Sequence, residues 1–396
     1  MNTLIFNCGS SSQGFKVYQT ASNAESRVLI SGKARNVGTR TQEPPYIDWI
    51  FDAMPGKKVC DLSDHRLAAR EVLNVLAACG ITVDAIGHRF VHGGELFTKT
   101  TRVDEDTLLR LRKVLPLAPI HNPNSFSVIE VCLAALPKVP QFVVFDTAFH
   151  AGLPAAARTY AIPAQLAKQN GFYKYGFHGL SYQYVSAKTA ALIGRPLPDL
   201  KLILCHLGTG GSSVAAVKDG RSIETSMGYS PLPGLVMSTR CGDLDPEIVL
   251  DLVRAGRSAD EVSRILNNQS GLVGLSGVTS NLAEIITAAE GGDEPCRLAY
   301  DVYVHRLKSY LGAYFWLLDG ADAIVFTDDI GVKSWKLRER VCSGVESLGI
   351  ELDRDANRSA AIDRAVWLHA PTSRTRLLSL PTDEEWVILN EVLKFR

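Results

Sequence analysis

The sequence predicts an α/β protein of two lobes, and three observations predict it. A length of 396 residues favours two domains over one. Short apolar runs alternate with stretches of helical period, as in folds that layer helices on a sheet. An internal echo adds a duplication. The chain reads Leu4-Ile-Phe-Asn-Cys-Gly-Ser-Ser-Ser near its start and Leu202-Ile-Leu-Cys-His-Leu-Gly-Thr-Gly-Gly-Ser-Ser near its middle, each followed by a second strand-like run. A Gly/Ser loop between strands offers backbone N–H groups and hydroxyls to an anion. Two copies suggest two lobes facing one cleft; two unrelated β-hairpins are the alternative.

In chain order, strand-like runs fall at Leu4–Phe6, Phe15–Tyr18, Phe142–Phe145, Leu202–Leu204 and Ala323–Phe326. Helical patterns fall at roughly 66–79, 104–114, 125–136, 181–193, 246–255, 296–317 and 383–393. The turn Gly152-Leu-Pro154 places a boundary near residue 150. Asp245 before Pro246 reads as a helix N-cap with proline at the first helical position. Thr382 with Glu385 fits a capping box, which gives Glu385 a structural role and leaves Glu384 without one.

Composition excludes several classes. Basic and acidic residues balance at 42 each, so nothing points to a nucleic-acid or membrane-surface partner. Any anion site must be local. Eight cysteines stand singly, against a zinc ribbon or redox motif and in favour of reduced thiols in a cytosol. Met1 leads straight into a strand-like run without a basic leader, and no apolar stretch approaches the roughly 18 residues of a membrane span. A soluble, cytoplasmic protein is expected.

Common nucleotide motifs fail. No G-x-x-x-x-G-K-[ST] occurs, and Gly208-Thr-Gly210-Gly-Ser-Ser213 lacks the third glycine of G-x-G-x-x-G and precedes a strand. His88 and His92 stand four apart, but in a β-like run with no Glu after His88, which removes the zinc-protease reading. Arg89, inside that run, either pairs with a carboxylate or waits for an anionic ligand, because an unpaired buried cation is expensive. Asp146, at the C-terminal end of a strand, stands where α/β sheets place ligands, or else serves a turn or cap. His121 lies where a loop meets a helix start. His178 precedes a helix, with Gly176 and Gly179 leaving room for a ligand, although a satisfied loop histidine is the usual role. Six of nine histidines fall between residues 88 and 206, which favours a site. Arg240 has no capping role. Two isolated arginines in glycine-rich stretches suit phosphoryl transfer, in which charge spreads over the transferred oxygens and the protein supplies position and positive charge. Glu384 offers oxygen to Mg²⁺.

Asn7–Ser12, Gly87–Glu95, Ala118–Pro123, Phe145–His150, Tyr175–Gly179, Glu224–Pro231 and Thr239–Pro246 closely resemble the acetate kinase motifs, in order. The resemblance covers nearly the whole chain and is weakest around 20–80 and 354–376. It implies the duplicated ribonuclease-H-like fold of actin, sugar kinases and Hsp70, with an interdomain catalytic cleft. The N-terminal lobe would be 1–148, completed by a C-terminal helix at about 385–396, and the C-terminal lobe 149–384 would carry the donor side. It implies reversible, Mg²⁺-dependent, direct in-line transfer between ATP and acetate, usually by a homodimer. By the same resemblance, Arg89 and Arg240 hold the carboxylate and the phosphoryl group in flight, and His178 stabilises the transition state with His121 nearby. Asp146 and Glu384 orient the acid and the Mg²⁺, with Asn7 close to the metal. Val91, Ile120, Phe177 and Pro231 form a small pocket for the methyl group. Such a pocket rejects longer acids by only about 1–3 kcal/mol per methylene, so propionate is expected to be accepted. The donor-side positions are Ser10, Ser12, His206, Gly208, Thr209, Gly210, Gly211, Asn281 and Gly331.

The departures from the family pattern lie on the donor side. The loop Gly208–Ser213 is one residue longer than the family's and lacks its Asn. Asn281-Leu-Ala replaces Asp-Phe-Arg, losing a cation. Asp328-Asp-Ile-Gly-Val-Lys333 replaces Ala-Gly-Ile-Gly-Glu-Asn, and Gly14 replaces a usual Lys, with Lys16 two residues on. Asp329 narrows the space a nucleotide would use and opposes a polyphosphate, unless Lys333 reaches the same phosphates. Either ATP is retained, or a shorter donor such as pyrophosphate replaces it. A non-catalytic acyl-phosphate binder has no need of the full charge set, and a sugar kinase would need a carboxylate pair that is not evident.

Overall fold

Each Gly/Ser loop turns an antiparallel pair of strands. The structure, a computed structural model describing residues 1–21, 25–39 and 43–396, divides into two units: Met1–Phe149 with Asp383–Arg396, and His150–Thr382. The first unit therefore takes in Asp383 and Glu384 as well as the final helix.

In the first unit, strands β1 (Asn2–Cys8), β2 (Ser12–Thr20), β3 (Ser26–Arg35), β4 (Tyr46–Phe51), β5 (Met54–Val59), β6 (Ala85–Phe90), β7 (Thr101–Arg102) and β8 (Gln141–Phe145) form one sheet in the order β5-β4-β3-β2-β1-β6-β8-β7. β1 runs antiparallel to β2 and parallel to β6, and β6 is parallel to β8. Phe6, Phe15, Val17 and Ile30 pack with Ala68, Val72 and Val128 of the helices His65–Ala78 and Asn122–Ala135. The helix Glu384–Leu393 lies so close to β6 that a Cβ on Gly87 would meet Ile388 at 2.6 Å. Its cap corrects the sequence reading: Asp383 accepts from the Trp386 amide at 3.0 Å, while the buried Thr382 hydroxyl has no partner. Both residue types cap helices, and the chain uses the one a position later.

In the second unit, β9 (Leu202–Gly208), β10 (Gly211–Lys218), β11 (Arg221–Thr225), β12 (Ala323–Thr327), β13 (Val366–Trp367) and β14 (Arg376–Ser379) form a sheet in the order β11-β10-β9-β12-β14-β13. The alternation of buried Ile203, Cys205, Val214 and Ala216 packs against Tyr300, Tyr303 and Leu307 of the long helix Glu294–Leu318. The order β11-β10-β9-β12-β14 repeats β3-β2-β1-β6-β8, with an antiparallel hairpin and then two parallel neighbours in each. The echo is thus a duplicated α/β fold and not a pair of unrelated hairpins. Among the described residues no helix is long and apolar enough to cross a membrane, and all eight cysteines are free thiols.

Candidate active site

Asn7 near the end of β1, Arg89 near the end of β6 and Asp146 just past β8 share the C-terminal edge of three parallel strands, where open sheets place ligands. Arg89 grips Asp146 through two bonds, Nε to Oδ1 at 3.0 Å and Nη2 to Oδ2 at 2.7 Å. Its Nη1 donates to Asn7 Oδ1 at 3.0 Å and lies 3.7 Å from Glu384 Oε2. Asn7 Nδ2 donates to Glu384 at 3.2 Å and to Glu385 at 3.0 Å. Of the two readings of Arg89, the carboxylate pair is the one present, with Asp146 1% exposed and Arg89 17%. Burial by itself would lower the guanidinium pKa, but Asp146 and Glu384 outweigh it and hold the group charged. Glu385, read from sequence as a cap, instead faces Asn7 and Lys16, whose Nζ is 3.7 Å away. Asn7, Asp146 and Glu384 offer hard oxygens, and among the described residues no three His, Cys, Asp or Glu side chains form a metal cage. That donor set fits Mg²⁺, which keeps most of its waters and takes one or two carboxylates.

In the second unit, His178 adopts a left-handed backbone at φ 58° just before the helix Gly179–Ile193. Its Nδ1 is 2.7 Å from Ser213 Oγ, and its ring stacks on His206 with centroids 4.1 Å apart. Tyr182, one turn into the helix, bonds the same Ser213 oxygen. Burial pushes the Tyr182 hydroxyl pKa well up, against the opposing effects of Ser213 and the His206 amide, so it remains a donor. Ser213 Oγ thus links Tyr182 to His178 Nδ1. A Cβ built on Gly211 would lie 3.2 Å from Arg240 Nη1 and 3.5 Å from His178 Nε2. Two positive or N–H-bearing tips thus converge on the glycine that opens β10. Arg240 reaches the Pro231 carbonyl at 3.5 Å and has no carboxylate in ion-pair range among the described residues; burial lowers its pKa. Its loop is bolted by Asp243, which accepts from the Gly234 amide at 2.8 Å, from Tyr310 at 2.7 Å and pairs with Arg306 at 3.1 Å.

The loop Gly208–Gly211 is already occupied by its own chain. Thr209 donates its amide to Asp329 Oδ1 at 2.9 Å and its hydroxyl to Oδ2 at 3.0 Å. Asp328 Oδ2 lies 3.2 Å from His206 Nε2. Lys333, at the exposed end of the helix Asp328–Lys333, has no ion-pair partner among the described residues. Gly331 sits within that helix, its carbonyl accepting from the buried Arg338 at 2.8 Å. Asn281 caps the helix Leu282–Glu290 through the Ala283 amide at 3.0 Å. His121 holds the N-cap position of Asn122–Ala135. Val91 is buried and Ile120 is 60% exposed, both in the first unit; Phe177 is buried and Pro231 half-buried, both in the second. Ser10 is exposed and Ser12 half-buried on the first Gly/Ser loop, where Gly9 closes the turn on the Ser12 carbonyl at 2.8 Å.

Sequence reasoning missed four supports. His65 meets the Gly9 carbonyl at 3.1 Å. His150 bonds Ser222 at 2.8 Å and the Phe177 carbonyl at 3.0 Å, bracing the residue before His178. Ser213 and Tyr182 hold the His178 ring in place. Only Ser213 carried a signal, as the last residue of the Gly/Ser loop. His88 is a core residue, stacked on Phe6 and bonded to Gln141 at 2.7 Å. Burial holds both His88 and His150 down to about 4. A depressed histidine binds its proton more readily in the unfolded chain, so its contribution is complete above about pH 6.5 and lost as pH falls towards 4. The unfolding free energy from urea titrations is expected to drop by about 2 kcal/mol per residue between pH 7 and 5, and His88→Gln should flatten that slope. An unchanged slope in the variant refutes the assignment.

The acetokinase family profile matches residues 2–390. The chain is 39% identical to an acetate kinase of Dictyoglomus thermophilum, over 100% of this chain and 99% of that one. Among solved structures it resembles acetate kinase from Entamoeba histolytica, with TM-score 0.90, 40% identity and coverage of 100% and 99%. It also resembles a propionate kinase from Francisella tularensis, with TM-score 0.89, 33% identity and 98% coverage of each chain.

Proposed function

The chain belongs to the acetokinase family, and from that premise we propose that it forms acetyl phosphate from acetate and a phosphoryl donor, reversibly and with Mg²⁺, as a cytoplasmic homodimer. The observation that carries the reading is the convergence of Arg240 Nη1 and His178 Nε2 on Gly211. A guanidinium and an imidazole side by side are groups that a phosphoryl transfer can use while its bonds are loose. One acetate oxygen bonds to phosphorus as the donor's leaving oxygen departs, so one P–O bond forms, one breaks and no proton changes hands. Arg240 and His178 meet the transferring oxygens, and the Gly208–Gly211 turn receives the donor's remaining phosphates. Arg89, fixed by Asp146, binds the acetate carboxylate. Asn7 and Glu384 would hold the Mg²⁺, which would neutralise phosphate charge. Acetate, ATP and Mg²⁺ should yield acetyl phosphate trapped as the hydroxamate. Absence of product with every donor tried sinks the reading. The likeness to a propionate kinase supports propionate as a second acid, with a discrimination of about 10–200-fold.

A second reading of the donor is favoured by Asp329. Its carboxylate occupies the Thr209 amide that a donor phosphate would seek, and its charge opposes a long polyphosphate. Pyrophosphate presents less to that position than ATP. On this reading, a donor panel at fixed acetate favours pyrophosphate, and Asp329→Gly raises kcat/KM for ATP relative to pyrophosphate by about tenfold or more, some 1.4 kcal/mol. An unaltered ratio removes Asp329 from donor choice.

Eight free thiols support a reducing compartment. The dimer is supported by unpartnered apolar surface: the helix Pro246–Arg254 buries none of its residues, and Trp316 is 86% exposed. Light scattering should give twice the 43.1 kDa chain mass; a single chain mass refutes the dimer.

A further inference from the structure

One edge of the second sheet carries a pocket that shares no residue with the phosphoryl-transfer set. β13 and β14 pair with Trp367 opposite Leu378. Alternation along the strands sets Trp367, His369, Arg376 and Leu378 on one face, while Leu368 and Leu377 turn to the opposite, core face. The helix Gly179–Ile193 stops beside the first face because Gly194 takes a left-handed turn at φ 75° and prolines follow. Its last residues, Leu192 and Ile193, join Trp367, His369, Pro371 and Arg376 around a cavity of about 410 Å³. That volume lies within the roughly 300–1,000 Å³ of small-molecule sites.

Its chemistry is asymmetric. The Arg376 amide donates to the Asp322 carbonyl at 3.0 Å, but its guanidinium has no ion-pair or hydrogen-bond partner among the described residues. The Asp322 carboxylate does not answer it, being bound by Arg195 at 2.7 Å and the Lys201 amide at 2.8 Å. A half-buried guanidinium without a counter-charge favours an anionic partner, which it can grip bidentately. His369 donates from Nδ1 to the Leu377 carbonyl at 3.4 Å. Its ring meets that of Trp367 at 85° with centroids 5.4 Å apart. The rest of the wall is aliphatic. A single cation matches a single acidic group, and the indole and aliphatic wall match a flat apolar body.

We propose that this pocket binds a small aromatic anion, its ring against Trp367 and its one acidic group on Arg376. The proposal does not depend on the donor or acid of the phosphoryl-transfer reaction. The full chain labelled with 5-fluorotryptophan tests it by ¹⁹F NMR, with Trp367→Phe identifying one resonance among five tryptophans. Indole-3-carboxylate and AMP are the probes, separating a carboxylate source from a phosphate source; indole and inorganic phosphate are the controls. Saturable movement of the Trp367 resonance by either probe, weakened at least tenfold in Arg376→Gln, supports the site. Arg376→Lys should lie between the two, and covers the case in which the Gln variant fails to fold. No movement with either probe, equal binding by uncharged indole, or wild-type affinity in both Arg376 variants overturns it.

Discussion

Arg240→Ala is expected to lower kcat for acetyl phosphate formation by about a thousandfold or more, some 4 kcal/mol, with a much smaller change in acetate binding. The expected size follows from its surroundings. Burial removes water from this guanidinium, and no carboxylate answers it among the described residues, so its charge is available in full to a phosphoryl group. The same isolation means that its removal strands no counter-charge, and the fold should survive. Arg240→Lys keeps a point charge without the planar fork and should recover only part of the rate. Initial rates with calorimetric donor and acetate titrations separate the effects. A kcat within tenfold of wild type would remove Arg240 from the transition state.

Arg89→Met should behave differently, losing stability as well as turnover. Asp146 is 1% exposed and both its oxygens are held by this one side chain. Deleting the cation strands a buried carboxylate, at a cost of about 3–5 kcal/mol. Arg89→Met with Asp146→Leu replaces the pair by apolar groups of similar size, and should regain most of the stability measured by urea unfolding. It should not regain turnover, because the group proposed to bind the acid carboxylate is still missing. Turnover in the double variant would show that the pair only supports the fold. A single variant as stable as wild type would show that Asp146 finds another partner.

How much of this was legible in the sequence differs by residue. Asp146 stood out because it ends a short apolar run and Arg89 because it is a cation within one, whereas Asn7 came only from the family resemblance; the parallel strands bring all three to one edge. His178 stood out because flanking glycines leave room for a ligand, and Arg240 because no capping role accounts for it. The hairpin β4–β5 could not: Met54–Val59 carries Pro, Gly and two lysines, with no buried alternate face to give a period. The cap at Asp383 was missed by one position because Thr382 has the same capability. The contacts of Glu385, His65 and Tyr182 depend on partners distant in sequence, so local pattern holds no trace of them. Asp329 stood out as a foreign charge, but only coordinates reveal that it binds the Thr209 amide.

The way the first unit closes has a consequence for how the protein is made. Asn7 meets Glu384 across 377 residues of chain, and Ile388 packs on β6 at Gly87. During translation the sheet of Met1–Phe149 must therefore wait, one greasy side bare, until the helix Glu384–Leu393 has been made. At ordinary elongation rates that delay is on the order of ten seconds to a minute. The continuous segment His150–Thr382 has no such wait, so the half synthesised second can mature before the half synthesised first.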